Sequence, residues 1–192
     1  KTYKSLKNTQ TKLQKKGPTY TFGDFNARVQ KAQTNAEKKC IGPHTFNPQH
    51  ITLNDQTEGV VENRNYFISH CNATDTIATN TFFQKQEHKK PTFRHCETTH
   101  GPPWTRAAGY ETLDYILAPN RWKNTVKNTE TDTTFTDSDH YPVVAEIQVK
   151  LKAMPKREYT ERIKFNPPTN VQVYKFNKAV REARENGTLP DH

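Results

Sequence analysis

Long apolar runs are missing from this sequence, and so is any surplus of the residues that staple small secreted folds. No stretch approaches the ~20 apolar residues of a membrane span, and no apolar segment follows the basic start, so neither a spanning helix nor a secretory leader is read. Hydrophobic residues make up 31% of the 192, against about 45–50% apolar usage (Gly included) in ordinary domains. That scarcity excludes a large, deeply buried core and leaves much of the chain to tail, loop, or one half of something larger. Cys40, Cys71 and Cys96 are odd in number, widely spaced and in no C-x-x-C pair, which excludes a disulfide framework or a zinc site. Reduced thiols point to a nuclear or cytoplasmic protein, not a secreted one. Asn72-Ala73-Thr74 and Asn186-Gly187-Thr188 match a glycosylation acceptor, as chance allows in a chain rich in Asn and Thr. With Lys at position 1 and Met154 as its only methionine, the sequence reads as an excerpt of a longer chain.

Acid is also in deficit. Lys and Arg number 29 and Asp and Glu 20, a formal net charge of +9, which favours a polyanionic partner, most simply nucleic acid. The pattern along the chain predicts an α/β (α+β) domain over residues 1–149, a basic Pro-containing linker over 150–168, and a helix with tail over 169–192. Tyr3, Leu6, Gln10 and Leu13 recur at helical spacing within Lys1–Lys16, and Gly17-Pro18 ends that helix. Thr19–Phe22 alternates as a strand. Residues from about Ala32 to Glu62 read mostly as loop, Asn63–Cys71 as a short helix, and Thr76–Phe83 and Pro91–Arg94 as strand-forming. Gly101-Pro102-Pro103 marks His95–Ala108 as a loop. Thr112–Leu117 and Tyr141–Val149 are the clearest strands. Pro155, Pro167 and Pro168 punctuate the linker. Val173, Phe176, Val180 and Ala183 form one stripe of a last helix closed by Gly187, and that stripe calls for a packing partner.

Three acids interrupt segments that otherwise read as core. Asp24 ends a strand in Gly23-Asp24-Phe25-Asn26, Asp114 lies in Leu113-Asp114-Tyr115-Ile116-Leu117, and Asp139-His140 precede the strand from Tyr141. A buried lone carboxylate costs several kcal/mol, so such residues need a charge partner, a metal or an open site. Carboxylates with an Asn amide suit Mg²⁺, which takes hard oxygen ligands and keeps several waters. A His oriented by a carboxylate holds or accepts a proton near neutral pH, and an Asn amide donates to a phosphoryl oxygen as charge builds there. Together these are the parts of metal-assisted phosphoester hydrolysis.

The three strings Gly23-Asp24-Phe25-Asn26-Ala27, Leu113–Leu117 and Ser138-Asp139-His140-Tyr141-Pro142-Val143-Val144 resemble the last three signatures of the endonuclease/exonuclease/phosphatase superfamily, in order. Asn80-Thr81-Phe82-Phe83, Thr92-Phe93 and Asn120-Arg121-Trp122 are most similar to the endonuclease domain of LINE-type (non-LTR) retrotransposon polyproteins. The resemblance implies a four-layer α/β/β/α sandwich of two mixed, largely antiparallel sheets, of which residues 19–149 are the C-terminal part. It implies that Asp24 positions or deprotonates the attacking water and Asn26 binds the scissile phosphate. Asp139, with Asp24, serves Mg²⁺ (or Mn²⁺), and His140 contacts phosphate or moves a proton while Asp114 orients it. Implied partners are DNA and a reverse transcriptase in the same parent chain. Arg94, Trp104 and Arg106 stand as DNA-contact candidates on a loop.

The family also uses an Asn and a principal metal-binding Glu upstream of the Gly-Asp-x-Asn string. Only 23 residues precede Asp24 here and none is Glu, while Glu58 and Glu62 follow it in loop-like sequence. The chain alone is therefore expected to be a poor nuclease. Two other readings stand beside a nicking endonuclease: a repair-type abasic endonuclease or phosphoesterase of the same fold, and a non-catalytic remnant that binds nucleic acid.

Overall fold

The computed structural model describes residues 2–46, 57–150 and 167–188. It divides into two compact units, Lys1–Lys150 and Leu151–His192. The first is an α+β unit whose strand pairs, among the described residues, are all antiparallel, and Ile41 makes an isolated parallel bridge to Ala78.

Helix α1 (Thr2–Gln14) opens the unit. Tyr3 and Leu6 are half-buried and Gln10 fully buried as the helical spacing predicts, but Leu13 is 43% exposed. Strand β1 (Thr21–Asp24) runs two residues further than the alternation of Thr19–Phe22 predicts. Helix α2 (Glu58–Ala73) is longer than the Asn63–Cys71 pattern at both ends, and its buried face carries Arg64 and His70 as well as Phe67, Ile68 and Cys71. Arg64 survives there at 1% side-chain exposure because Glu37 faces it, Nη2 to Oε2 at 2.6 Å. Burial alone would raise the Glu37 pKa, but the hydrogen bonds from Arg64 and the Gln33 N–H, with the Arg64 charge, leave it below the usual carboxylate range. Glu58 and Glu62, read as loop residues, occupy the first turns of α2, and Glu62 accepts from the Tyr66 hydroxyl at 2.8 Å.

Strand β2 (Thr76–Ala78) is short, since the chain turns into a 3₁₀ turn at Thr79–Thr81 where the sequence predicted further strand. Strands β3 (Phe93–Arg94) and β4 (Tyr110–Glu111) flank the long loop, and β5 (Asp114–Pro119) follows. The strand expected over Thr112–Leu117 thus starts at Asp114, with Thr112 and Leu113 outside it. Strand β6 (Val126–Thr131), not anticipated, pairs with β7 (Val143–Ile147).

The main sheet has the order β1-β5-β2, and β5 is its centre. Tyr115 and Leu117 point to one face and pack with Phe67, Cys71 and Ala27 under the helices. Ala118 points to the other and packs with Ile77 and Val126 of β6. Two-sided burial explains why β5 tolerates only the polar residue at its open end.

The second unit contains helix α3 (Asn170–Glu185). Thr169 caps it and Gln172 returns the hydrogen bond, and Gly187 at φ 67° terminates it in a left-handed turn. Of the stripe, Val180 and Ala183 are half-buried, while Phe176 is 68% exposed. The linker expected over 150–168 lies, for residues 151–166, outside the described residues.

Candidate active site

The site begins with a register. β1 and β5 pair so that Asp24 sits directly opposite Asp114. Facing residues of an antiparallel pair project to the same side, Cβ atoms about 4.5–5.5 Å apart, and two like charges so placed repel. A nearby cation offsets such repulsion. One candidate is at hand, because His140 Nδ1 lies 2.9 Å from Asp114 Oδ2. An ionised carboxylate only accepts, so against one Nδ1 carries the proton and Nε2 takes no part in the contact.

His140 arrives through the short strand β3. The Tyr141 N–H donates to Thr92 O at 2.8 Å and the Arg94 N–H to Asp139 O at 2.8 Å, and Phe93 bridges to His140. The Phe93 ring meets the imidazole edge-on with centroids 5.1 Å apart. Thr92, fully buried, also fixes the other partner. Its hydroxyl accepts from the Leu113 N–H at 2.9 Å and the Asp114 N–H at 3.0 Å. One residue thus ties the His140 segment to the start of β5. The Ser138 hydroxyl accepts from the His140 N–H at 3.0 Å.

The electrostatics agree with convergence. Burial pulls the His140 pKa down, but the hydrogen bond to Asp114 and the charges of Asp114, Asp24 and Asp139 outweigh it and raise it above the ordinary imidazole value. Asp114, half-buried, is the carboxylate in contact with the ring, while Asp24 and Asp139 are exposed.

Asn26 has a conformational role the sequence did not reveal. It sits at φ 47°, a left-handed geometry that Asn accepts more readily than most residues, and its N–H donates to Asp24 Oδ1 at 2.7 Å. Asn63 of α2 holds the turn, its amide donating to Phe25 O at 3.0 Å and Asn26 O at 2.7 Å. Asp24 and Asn26 line a groove of about 1050 Å³, with Tyr3, Phe22 and Tyr66 on its walls.

The loop candidates are held by protein contacts. Arg106 pairs with Glu111 at 2.5 Å, and Glu111 also accepts from Arg28 at 3.1 Å. Trp104 meets Tyr110 in a tilted contact at 4.8 Å and His100 edge-on at 5.3 Å. Arg94 is half-buried in β3, two residues beyond Thr92.

For a divalent cation the donor set is suitable in kind. Asp24 and Asp139 offer hard oxygens, and neither is in an ion pair among the described residues. Hard oxygens are the donors Mg²⁺ takes. Among the described residues no three His, Cys, Asp or Glu side chains are grouped to enclose one. No helix among these residues is long and apolar enough to cross a membrane. No family model and no curated protein matches the chain.

Proposed function

We propose that this chain carries the C-terminal part of a metal-assisted phosphodiester hydrolase acting on DNA, of the LINE-type endonuclease kind that its three strings resemble. The observation that carries the reading is the 2.9 Å contact of His140 Nδ1 with Asp114 Oδ2, made beside the β1–β5 register that sets Asp24 opposite Asp114. In this reading the sheets β1-β5-β2 and β6-β7 belong to the two β layers of a four-layer α/β/β/α sandwich. Asp24 orients the attacking water, and Asn26 offers its side-chain amide to a phosphate oxygen. His140 presents Nε2 to the phosphate or moves a proton, and Asp114 fixes the ring. Asp24 and Asp139 would hold Mg²⁺ or Mn²⁺, which when bound polarises the phosphoryl group. The net charge of +9 supports contact with phosphates.

The test is nicking of supercoiled plasmid with Mg²⁺ by a chain extended upstream to supply a metal-binding Glu. Asp24→Ala and His140→Ala should each abolish nicking while the fold persists by circular dichroism. Undiminished nicking by either variant overturns the assigned roles. A second reading, a non-catalytic nucleic-acid binder, is favoured by the lack of a three-residue metal cluster among the described residues. It predicts salt-sensitive plasmid binding by the extended chain with no nicking at any Mg²⁺ concentration.

A further inference from the structure

The edge of β5 that faces β2 is only half built from backbone. Ala78 pairs with Leu117, and then the chain leaves the sheet in its 3₁₀ turn. From there to the end of the strand, side chains take over the ladder. The Thr79 hydroxyl donates to Ile116 O at 2.9 Å. The Asn80 side chain then accepts from the Ile116 N–H through Oδ1 at 3.1 Å and donates through Nδ2 to Asp114 O at 3.2 Å. A carboxamide has the donor and acceptor of a peptide group, so it can substitute for a missing strand residue. The Asp114 peptide is thus pinned on both sides, its N–H by Thr92 and its C=O by Asn80.

We infer that Asn80 is a positioning residue, whose carboxamide stands in for an absent strand and holds the Asp114 backbone so that its carboxylate meets His140. The inference rests on the reading of Asp114 and His140 as an orienting pair. Three facts support it beyond a role in stability. Asn80 bonds the residue that carries the site carboxylate and the next one on the same edge, Ile116. Both bonds use the orientation that matches donor to acceptor. And Asp114 is the terminal residue of β5, where strand ends fray unless something caps them.

The signature to read is the downfield proton resonance of the His140 Nδ1–H in the full 192-residue chain, which a hydrogen bond to carboxylate protects from exchange. Asn80→Ala and the equally bulky Asn80→Leu should speed its exchange with water by about fivefold or more, the effect of loosening one hydrogen bond. Thr74→Ala removes a buried hydroxyl bonded to His70 O and Thr76, at the far end of the sheet, and should leave the resonance unmoved. Asn80 variants that keep the wild-type exchange rate overturn the inference. Asp114→Asn should eliminate the resonance, and if it does not, the orienting pair itself fails and the inference falls with it. Should neither Asn80 variant fold, exchange of the Ile116 amide in the unaltered chain decides. Protection equal to that of Leu117 supports the carboxamide as a strand substitute, and free exchange refutes it.

Discussion

His140 Nδ1 donates to Asp114 Oδ2 across 2.9 Å, joining residues 26 positions apart along the chain. Removing the charge while keeping the shape isolates what this pair contributes. Asp114→Asn should bring the His140 midpoint down toward its ordinary value, as followed by NMR of the imidazole carbons. In an upstream-extended chain it should cut plasmid nicking by about a hundredfold, within the range of a misplaced acid–base group. An unmoved midpoint would sink the pairing.

The raised His140 pKa carries a pH signature in the metal-free chain. A group whose folded pKa lies above its unfolded value stabilises fully below the unfolded value, and that contribution disappears as pH rises through the folded one. The stability difference between the native chain and His140→Gln should therefore be greatest on the acid side of the ordinary imidazole pKa. It should shrink as pH climbs past the raised value. Urea unfolding at stepped pH measures it, and a difference that stays constant across the window contradicts the assignment.

Glu37→Ala should be among the most damaging single changes in the helical layer. It strands Arg64 at 1% side-chain exposure, and breaking a buried pair from one side costs about 3–5 kcal/mol. Chemical denaturation should show this, with Lys90→Ala, which breaks the pair with exposed Glu87, costing under about 1 kcal/mol.

Thr92→Val keeps the volume and deletes one hydroxyl. The Leu113 and Asp114 N–H groups then lose their acceptor in a buried place, for a cost of about 2–6 kcal/mol at 1–3 per orphaned group. Equal stability of this variant and the native chain would show that water or a backbone shift replaces the oxygen.

How much of this was legible depends on what kind of signal each element carries. β5 was readable because Tyr115, Ile116 and Leu117 are apolar on both faces, and Asp114 stood out against them. Helix α2 was half-readable. Its buried Arg64 counts as polar in any periodicity, and only the fold reveals Glu37 beneath it. β6 was missed because its inward residues include Thr129 and Thr131, whose hydroxyls hide a period-two pattern. Site residue types came from sequence, but the opposition of Asp24 to Asp114 and the part of Asn80 did not. Both depend on register, a relation between strands that local composition does not encode.

That register has an evolutionary consequence. Successive residues of a strand alternate sides and advance about 3.3 Å. A slide of β1 by one step would turn its acid toward the aromatic underside, and a slide by two would part the facing acids by about 7 Å. Insertions and deletions between these strands should consequently accumulate where they leave the ladder alone, as in the His95–Gly109 excursion. Along Thr21–Asp24 and Asp114–Leu117, lineages should differ by exchange of residues and never by their number.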